Sequence, residues 1–206
     1  MASSVVCISS EDGSEGHEAA ALAAGSLGYR IIDEDIVARA AVEAGVDESV
    51  VADVERRKSL LVKLIEQFGT PGAGMGAAYG APVTAGEPPS DALMGVIRSV
   101  IEDTAKGGNA VIVAHAASLA LGDRDDVLRV LVTASPETRA ERLGPARGLD
   151  SAAAADAIKK GDAGRADYLR RFYGVREELP THYDLVINTD KLSAERAARL
   201  IVDAAS

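Results

Sequence analysis

The sequence predicts an α/β domain, a parallel sheet covered by helices on both faces. Short runs rich in Val, Ile and Leu alternate with Ala-rich helical patterns, and Gly, Ser or Pro sits at many of the junctions. The apolar runs are continuous rather than alternating, as strands buried on both faces should be.

The first strand is expected over Ser4–Ile8, breaking at Ser9, Ser10 and Gly13. An Ala-rich helix follows over Gly16–Leu27 with Gly28 as its stop, and then a short strand over Tyr29–Asp33. Helical patterns cover 34–44 and 48–68, separated by a turn at 45–47. The second carries Val50, Val51, Val54, Leu61, Leu64, Ile65 and Phe68, an apolar stripe that suits core packing or a homodimer contact. Residues 69–89, with six Gly, four Pro and five Ala, read as a flexible loop. A helix is expected over Ser90–Lys106, closed by Gly107 and Gly108, and a strand over Ala110–Ala114 ending at His115. The strand Val127–Thr133 runs into Ser135-Pro136, an N-cap with proline at the first helical position. Two helices should follow, Ser151–Lys160 and Asp162–Tyr173, then a strand over Tyr183–Asn188 and a last helix over Ser193–Ala205. Ligands of such folds sit at the carboxyl ends of the strands, which brings Ser9 to His17, Asp33, His115 and Ser135 to one crevice.

Composition narrows the function classes. The 206 residues suit one domain, and 38 are alanine, so closely packed helices are expected. A net charge of −10 argues against general affinity for nucleic acid or anionic lipid. The lone Cys7 excludes an internal disulfide framework, and no apolar run reaches the length of a membrane span. A cytoplasmic protein is the expectation.

Two segments carry the chemistry. The turn Ser9-Ser-Glu-Asp-Gly-Ser-Glu-Gly-His-Glu18 joins a strand to a helix N-terminus, a geometry that presents backbone N–H groups to phosphate. Neither register of the phosphate-loop template supplies its lysine: one puts His17 there and the other Gly16. Glu11, Asp12, Glu15 and Glu18 crowd the would-be cradle, and two like charges 4 Å apart repel by about 4 kcal/mol at an effective dielectric near 20, so some must point away. The second segment, 139–176, holds nine bases against five acids in a chain otherwise acidic. Arginine there suits phosphate esters, because its planar fork binds two oxygens at once. Asp162 and Arg165, three apart on one helix, can pair. His17 and His115, with Glu11 or Glu15, offer metal-donor types, but their spacing does not demand a metal and none is assigned.

The blocks Ile8–Ala19, Leu27–Asp33, Ala110–His115, Ala134–Arg142, Asp162–Tyr168 and Tyr183–Thr189 together resemble the cytidylate kinase-like family, in that family's order and over nearly the whole chain. The resemblance implies a three-layer P-loop NTPase fold: a five-stranded parallel sheet in the order 2-3-1-4-5, helices on both faces and a basic helical lid over 145–176. It implies transfer of a phosphoryl group from ATP, with Mg²⁺, to a nucleoside monophosphate or similar small acceptor. Ser10, Gly13, Ser14, Gly16 and His17 would cradle phosphate, with Asp33 and His115 toward the acceptor in the 34–89 region. Arg165, Arg139, Arg142 and Asp162 would serve the transfer, Arg165 as an exposed lid residue that contributes little to stability. The family pattern usually has Arg at positions 10 and 17, an aromatic at 12 and Gly at 15. Loss of these bases and gain of acids leaves a degenerate nucleotide-binding or self-associating module as the alternative.

Overall fold

A computed structural model describes residues 3–33, 91–114, 116–122 and 124–206. The helices expected over 34–44 and 48–68 with their homodimer stripe, the 69–89 loop, and His115 lie outside these residues. In chain order the elements are β1 (Val5–Ser10), α1 (Gly16–Leu27), β2 (Arg30–Asp33), α2 (Asp91–Gly107), β3 (Ala110–Val113) and α3 (Ala117–Leu121). After these come β4 (Val127–Thr133), α4 (Pro136–Arg147), α5 (Ser151–Tyr173), a 3₁₀ turn (Pro180–His182), β5 (Leu185–Asn188) and α6 (Ala194–Ala205).

The five strands form one parallel sheet in the order β2-β3-β1-β4-β5, as expected. β1 lies at its centre with all six residues buried, because helices cover both faces there. Alternate side chains sort to the two faces. Val6 and Ile8 join Val111, Val113, Val130 and Val132 beneath α1 and α6, where Ala19, Ala23, Ala197 and Ile201 meet them. Val5 and Cys7 join Ala110 and Ile112 on the other face, under Val100, Ile101 and Ala117 of α2 and α3. Burial pushes the Cys7 thiol up to about 12, so it stays protonated and inert.

Local chemistry sets several boundaries. Ser135 caps α4 by accepting from the Thr138 amide, with Pro136 following. β1 extends two residues past Ile8, because Ser9 and Ser10 continue to pair with Leu131 and Val132.

One expectation is corrected. Residues 151–173 form a single helix, not two. Asp150 caps its start, Gly174 in the left-handed conformation ends it, and Gly161 continues the helix between them. This helix is docked rather than projecting: Ala154, Ile158, Arg165 and Leu169 are buried, and Tyr168 and Phe172 reach the second core face with their ring centroids 5.2 Å apart. The short α3 and the 3₁₀ turn have no counterpart in the expected element order.

Candidate phosphate-binding site

Parallel strands bring their carboxyl ends to one edge, so Ser10, Asp33, Thr133 and Asn188 end four strands beside the turn 11–15. That turn depends on two glycines. Gly13 has φ 78°, and a Cβ there would sit 2.6 Å from the Arg139 carbonyl oxygen. At Gly16 a Cβ would lie 2.3 Å from the Ser10 Cβ. In the register that puts the phosphate-loop lysine at position 16, a side chain is therefore excluded unless Ser10 moves. Glu15 takes the left-handed conformation at φ 61°, rare for a residue with a side chain.

The turn's carbonyls are tied down on one side. Arg142 donates to the Gly13 carbonyl at 3.3 Å, and the Thr189 hydroxyl donates to the Ser14 carbonyl at 2.8 Å. In a trans peptide the next N–H points the opposite way, so the amides of Ser14 and Glu15 turn from Thr189 and Arg142. The Ser14 amide bonds back to the Glu11 carbonyl at 3.0 Å, whereas α1 begins with no side-chain cap on its first amides. Ser14 itself is fully buried, and among the described residues its hydroxyl has no hydrogen-bond partner.

The acids of the turn are matched to arginines of α4. Glu11 lies 3.5 Å from Arg139, Glu15 lies 3.3 Å from Arg142, and Asp12 lies 3.5 Å from Arg147. Glu11 also accepts from the Thr133 hydroxyl at 2.6 Å. These pairings dispose of the crowding that the sequence implied: three of the four carboxylates turn to α4, and Glu18 is exposed.

Arg139 and Arg165 are both buried, at 3% and 8% exposure. The two terminal nitrogens of Arg139 donate to the two Asp162 oxygens at 2.8 Å each, and its Nε donates to the Ala134 carbonyl at 3.1 Å. The Asp162 bonds raise its pKa against the opposing effect of burial, with Glu11 adding to them. Arg165 donates to both Glu178 oxygens at 2.7 Å, to the Ser9 hydroxyl at 2.7 Å and to the Ser10 carbonyl at 3.3 Å. Burial is the largest single effect and opposes the Arg165 charge, but the Glu178 hydrogen bonds together with the charges of Glu178, Tyr183 and Glu11 outweigh it and the pKa is raised. A cleft of about 310 Å³ opens here, lined by Glu11, Asp162, Arg165, Arg176 and Glu178 among others.

Two readings of the sequence are thereby corrected. Asp162 and Arg165 do not pair with each other, because each finds a partner from another element. Arg165 is not exposed, because α5 lays it against the end of β1. Sequence reading missed Glu178, Thr133 and Thr189. Glu178 stands just outside the basic segment, and the two threonines end or follow strands at the carboxyl edge.

His17 lies between the ends of β1 and β2. Its Nδ1 is 3.4 Å from the Ser10 hydroxyl and its Nε2 is 3.3 Å from a carboxylate oxygen of Asp33, which is buried. Thus Ser10, Gly13, Ser14, Gly16, His17, Arg139, Arg142, Asp162 and Arg165 come together around the turn, with Asp33 joined to them through His17.

The turn stands at the edge of a 2-3-1-4-5 sheet, faced by two buried arginines. The model of the cytidylate kinase-like family matches residues 5–191. The chain belongs to this family. A crystal structure of a protein from Eubacterium ventriosum ATCC 27560 is similar over 98% of this chain and 97% of that one, with a TM-score of 0.67 at 19% identity. Shikimate kinase from Bacteroides thetaiotaomicron is similar over 97% and 94%, with a TM-score of 0.50 at 15% identity. At these identities the likeness is one of fold. No curated protein sequence matches the chain. The family and the fold support a nucleotide kinase-like function. Among the described residues no helix is long and apolar enough to cross a membrane.

The donor set does not fit a protein-held Mg²⁺. The metal-binding hydroxyl of a phosphate loop falls on the exposed Glu18 in one register and, in the other, on His17, whose ring contacts Asp33 and Ser10, so neither register supplies it. Among the described residues no group of three or more His, Cys, Asp or Glu side chains could hold a metal ion.

Proposed function

We propose that this cytidylate kinase-like protein is a phosphotransferase that moves a phosphoryl group from ATP to a nucleoside monophosphate or similar small acceptor. The observation that supports this best is the pair of buried guanidiniums, Arg165 held against the end of β1 and Arg139 against the Ala134 carbonyl that follows β4. Two buried cations beside uncapped helix amides favour an anion. Their carboxylate partners mark the places where phosphate oxygens would be received. Asp162 is about two-fifths exposed and can swing to solvent, which frees the Arg139 fork for two oxygens of one phosphate. Phosphoryl transfer needs chiefly such positioning and charge neutralisation. Gly13, Ser14 and Gly16 would shape the cradle, Arg142 would hold its carbonyls back, and Asp33 and His115 would face the acceptor.

The test is thermal denaturation with ATP–Mg²⁺ and with CMP, dCMP, UMP and AMP. A ligand at 100 times its Kd stabilises the fold by about 2.7 kcal/mol. A measurable rise in midpoint with ATP–Mg²⁺ and with one monophosphate is expected; no rise with any of them refutes the proposal.

The three acid–arginine pairs between the turn and α4 favour a second reading, a degenerate module that binds nucleotide or associates with itself without turnover. Stabilisation by ATP with no product from any of the four monophosphates would select it.

A further inference from the structure

We propose that Ser10 is a nucleophile, activated by His17 and Asp33, that takes a phosphoryl group from a nucleoside triphosphate. The proposal rests on the phosphotransferase reading for its donor. Three elements supply the three residues: Ser10 ends β1, His17 is the second residue of α1, and Asp33 ends β2. The Asp33 carboxylate faces Nε2 at 3.3 Å and the Ser10 hydroxyl faces Nδ1 at 3.4 Å. A carboxylate on Nε2 selects the tautomer with its proton there and leaves the Nδ1 lone pair toward the hydroxyl. A hydroxyl, a base and a group that orients the base are the parts of an activated nucleophile, and contacts this long are usual before substrate is bound.

The surroundings suit the product. A Cβ on Gly16 would lie 3.1 Å from the Ser10 Oγ, so the hydroxyl sits against the first residue of α1. That helix start has no side-chain cap, and its amides would receive the new negative charge. Arg165 donates to the carbonyl of this same residue, which is 9% exposed, and the His17 side chain beside it is 38% exposed.

Need for a base is the chemical argument. A phosphate monoester acceptor is largely ionised at neutral pH and does not require a general base. A histidine backed by a carboxylate is needed where an O–H must lose its proton, and the hydroxyl in place is Ser10. In the step, Oγ bonds to the γ-phosphorus as the bond from phosphorus to the bridging oxygen breaks. The electron pair leaves with ADP, the hydroxyl proton passes to Nδ1, and Asp33 stabilises the imidazolium.

The experiment combines the full chain with [γ-³²P]ATP–Mg²⁺, rapid quenching and fragment mass spectrometry, with thermal shift by ATP run in parallel. Phosphoserine at position 10 is expected. His17→Gln should slow its formation by about 100-fold or more, and added imidazole should restore part of the rate in His17→Ala. Asp33 is a positioning residue: Asp33→Asn should slow the step and move the His17 ring ¹⁵N shifts away from the Nε2-protonated pattern. Stabilisation by ATP without phosphate on Ser10, phosphate on another serine, or an unchanged rate in His17→Gln overturns the proposal and leaves the phosphotransferase reading standing. No stabilisation and no phosphate overturns both.

Discussion

Arg165 carries its charge from the middle of α5 into the interior, between Glu178 and the hydroxyl of Ser9. Both members of the ion pair are largely buried, at 8% and 17% side-chain exposure. Removing one member of such a pair strands the other, at a cost of about 3–5 kcal/mol. Arg165→Ala should therefore lower the unfolding free energy in urea by that amount. The double variant Arg165→Met, Glu178→Leu should lose much less, because neither charge is left alone. A loss under 1 kcal/mol in Arg165→Ala would show that the side chain is solvated. Nothing local to residue 165 distinguishes it from the exposed Arg170 and Arg171 on the same helix. Burial is decided by where α5 lies against β1.

At the scale of the element, α5 is the clearest departure from local pattern. Gly161 divides an Ala-rich stretch from an Arg- and Tyr-rich one, and such a glycine reads as a break. The helix instead continues, because its buried residues Ala154, Ile158, Arg165 and Leu169 recur at helical spacing through the glycine. A Cβ at 161 meets only Asp12 Oδ2 at 3.4 Å, an ordinary contact. Gly161→Ala should thus stabilise the protein by roughly 0.5–1 kcal/mol, the usual gain for this exchange inside a helix. A drop in thermal midpoint would contradict a continuous α5. Other elements follow their local signals closely. β4 occupies the expected Val127–Thr133, and Ser135 caps α4 where the Ser-Pro pair placed it.

For the whole molecule, pH should erode stability from both sides. On the acid side, hydrogen bonds from Arg129 hold the Asp184 carboxyl below its ordinary value, and Arg124 and Ser4 do the same for Asp126. A carboxyl with a depressed folded pKa contributes stability that is present above about pH 4 and is lost as pH falls through the folded value. On the alkaline side, burial and then the Glu178 bond push Tyr183 up to about 12. Its contribution is complete below the ordinary tyrosine value near 10 and disappears as pH rises from there toward 12. Urea unfolding across pH should show both declines. Asp184→Asn should flatten the acid limb and Tyr183→Phe the alkaline one; an unaltered limb in either variant would refute its assignment.

The sequence by itself determined the kind of fold and the order of its five strands along the chain, because those rest on signals that act within a few residues. Continuous β-branched runs require burial on both faces, and caps act over three or four positions. It also marked the turn after β1 and the basic segment as the places where charge gathers. Only the tertiary structure decided how those charges are spent. Asp162 turns to Arg139 twenty-three positions away, Glu11 to Thr133 across the sheet edge, and Ser10 meets His17 and Asp33 where three elements end together. The partners of a side chain depend on distances in space between residues far apart in the chain, and no spacing along the chain encodes those distances.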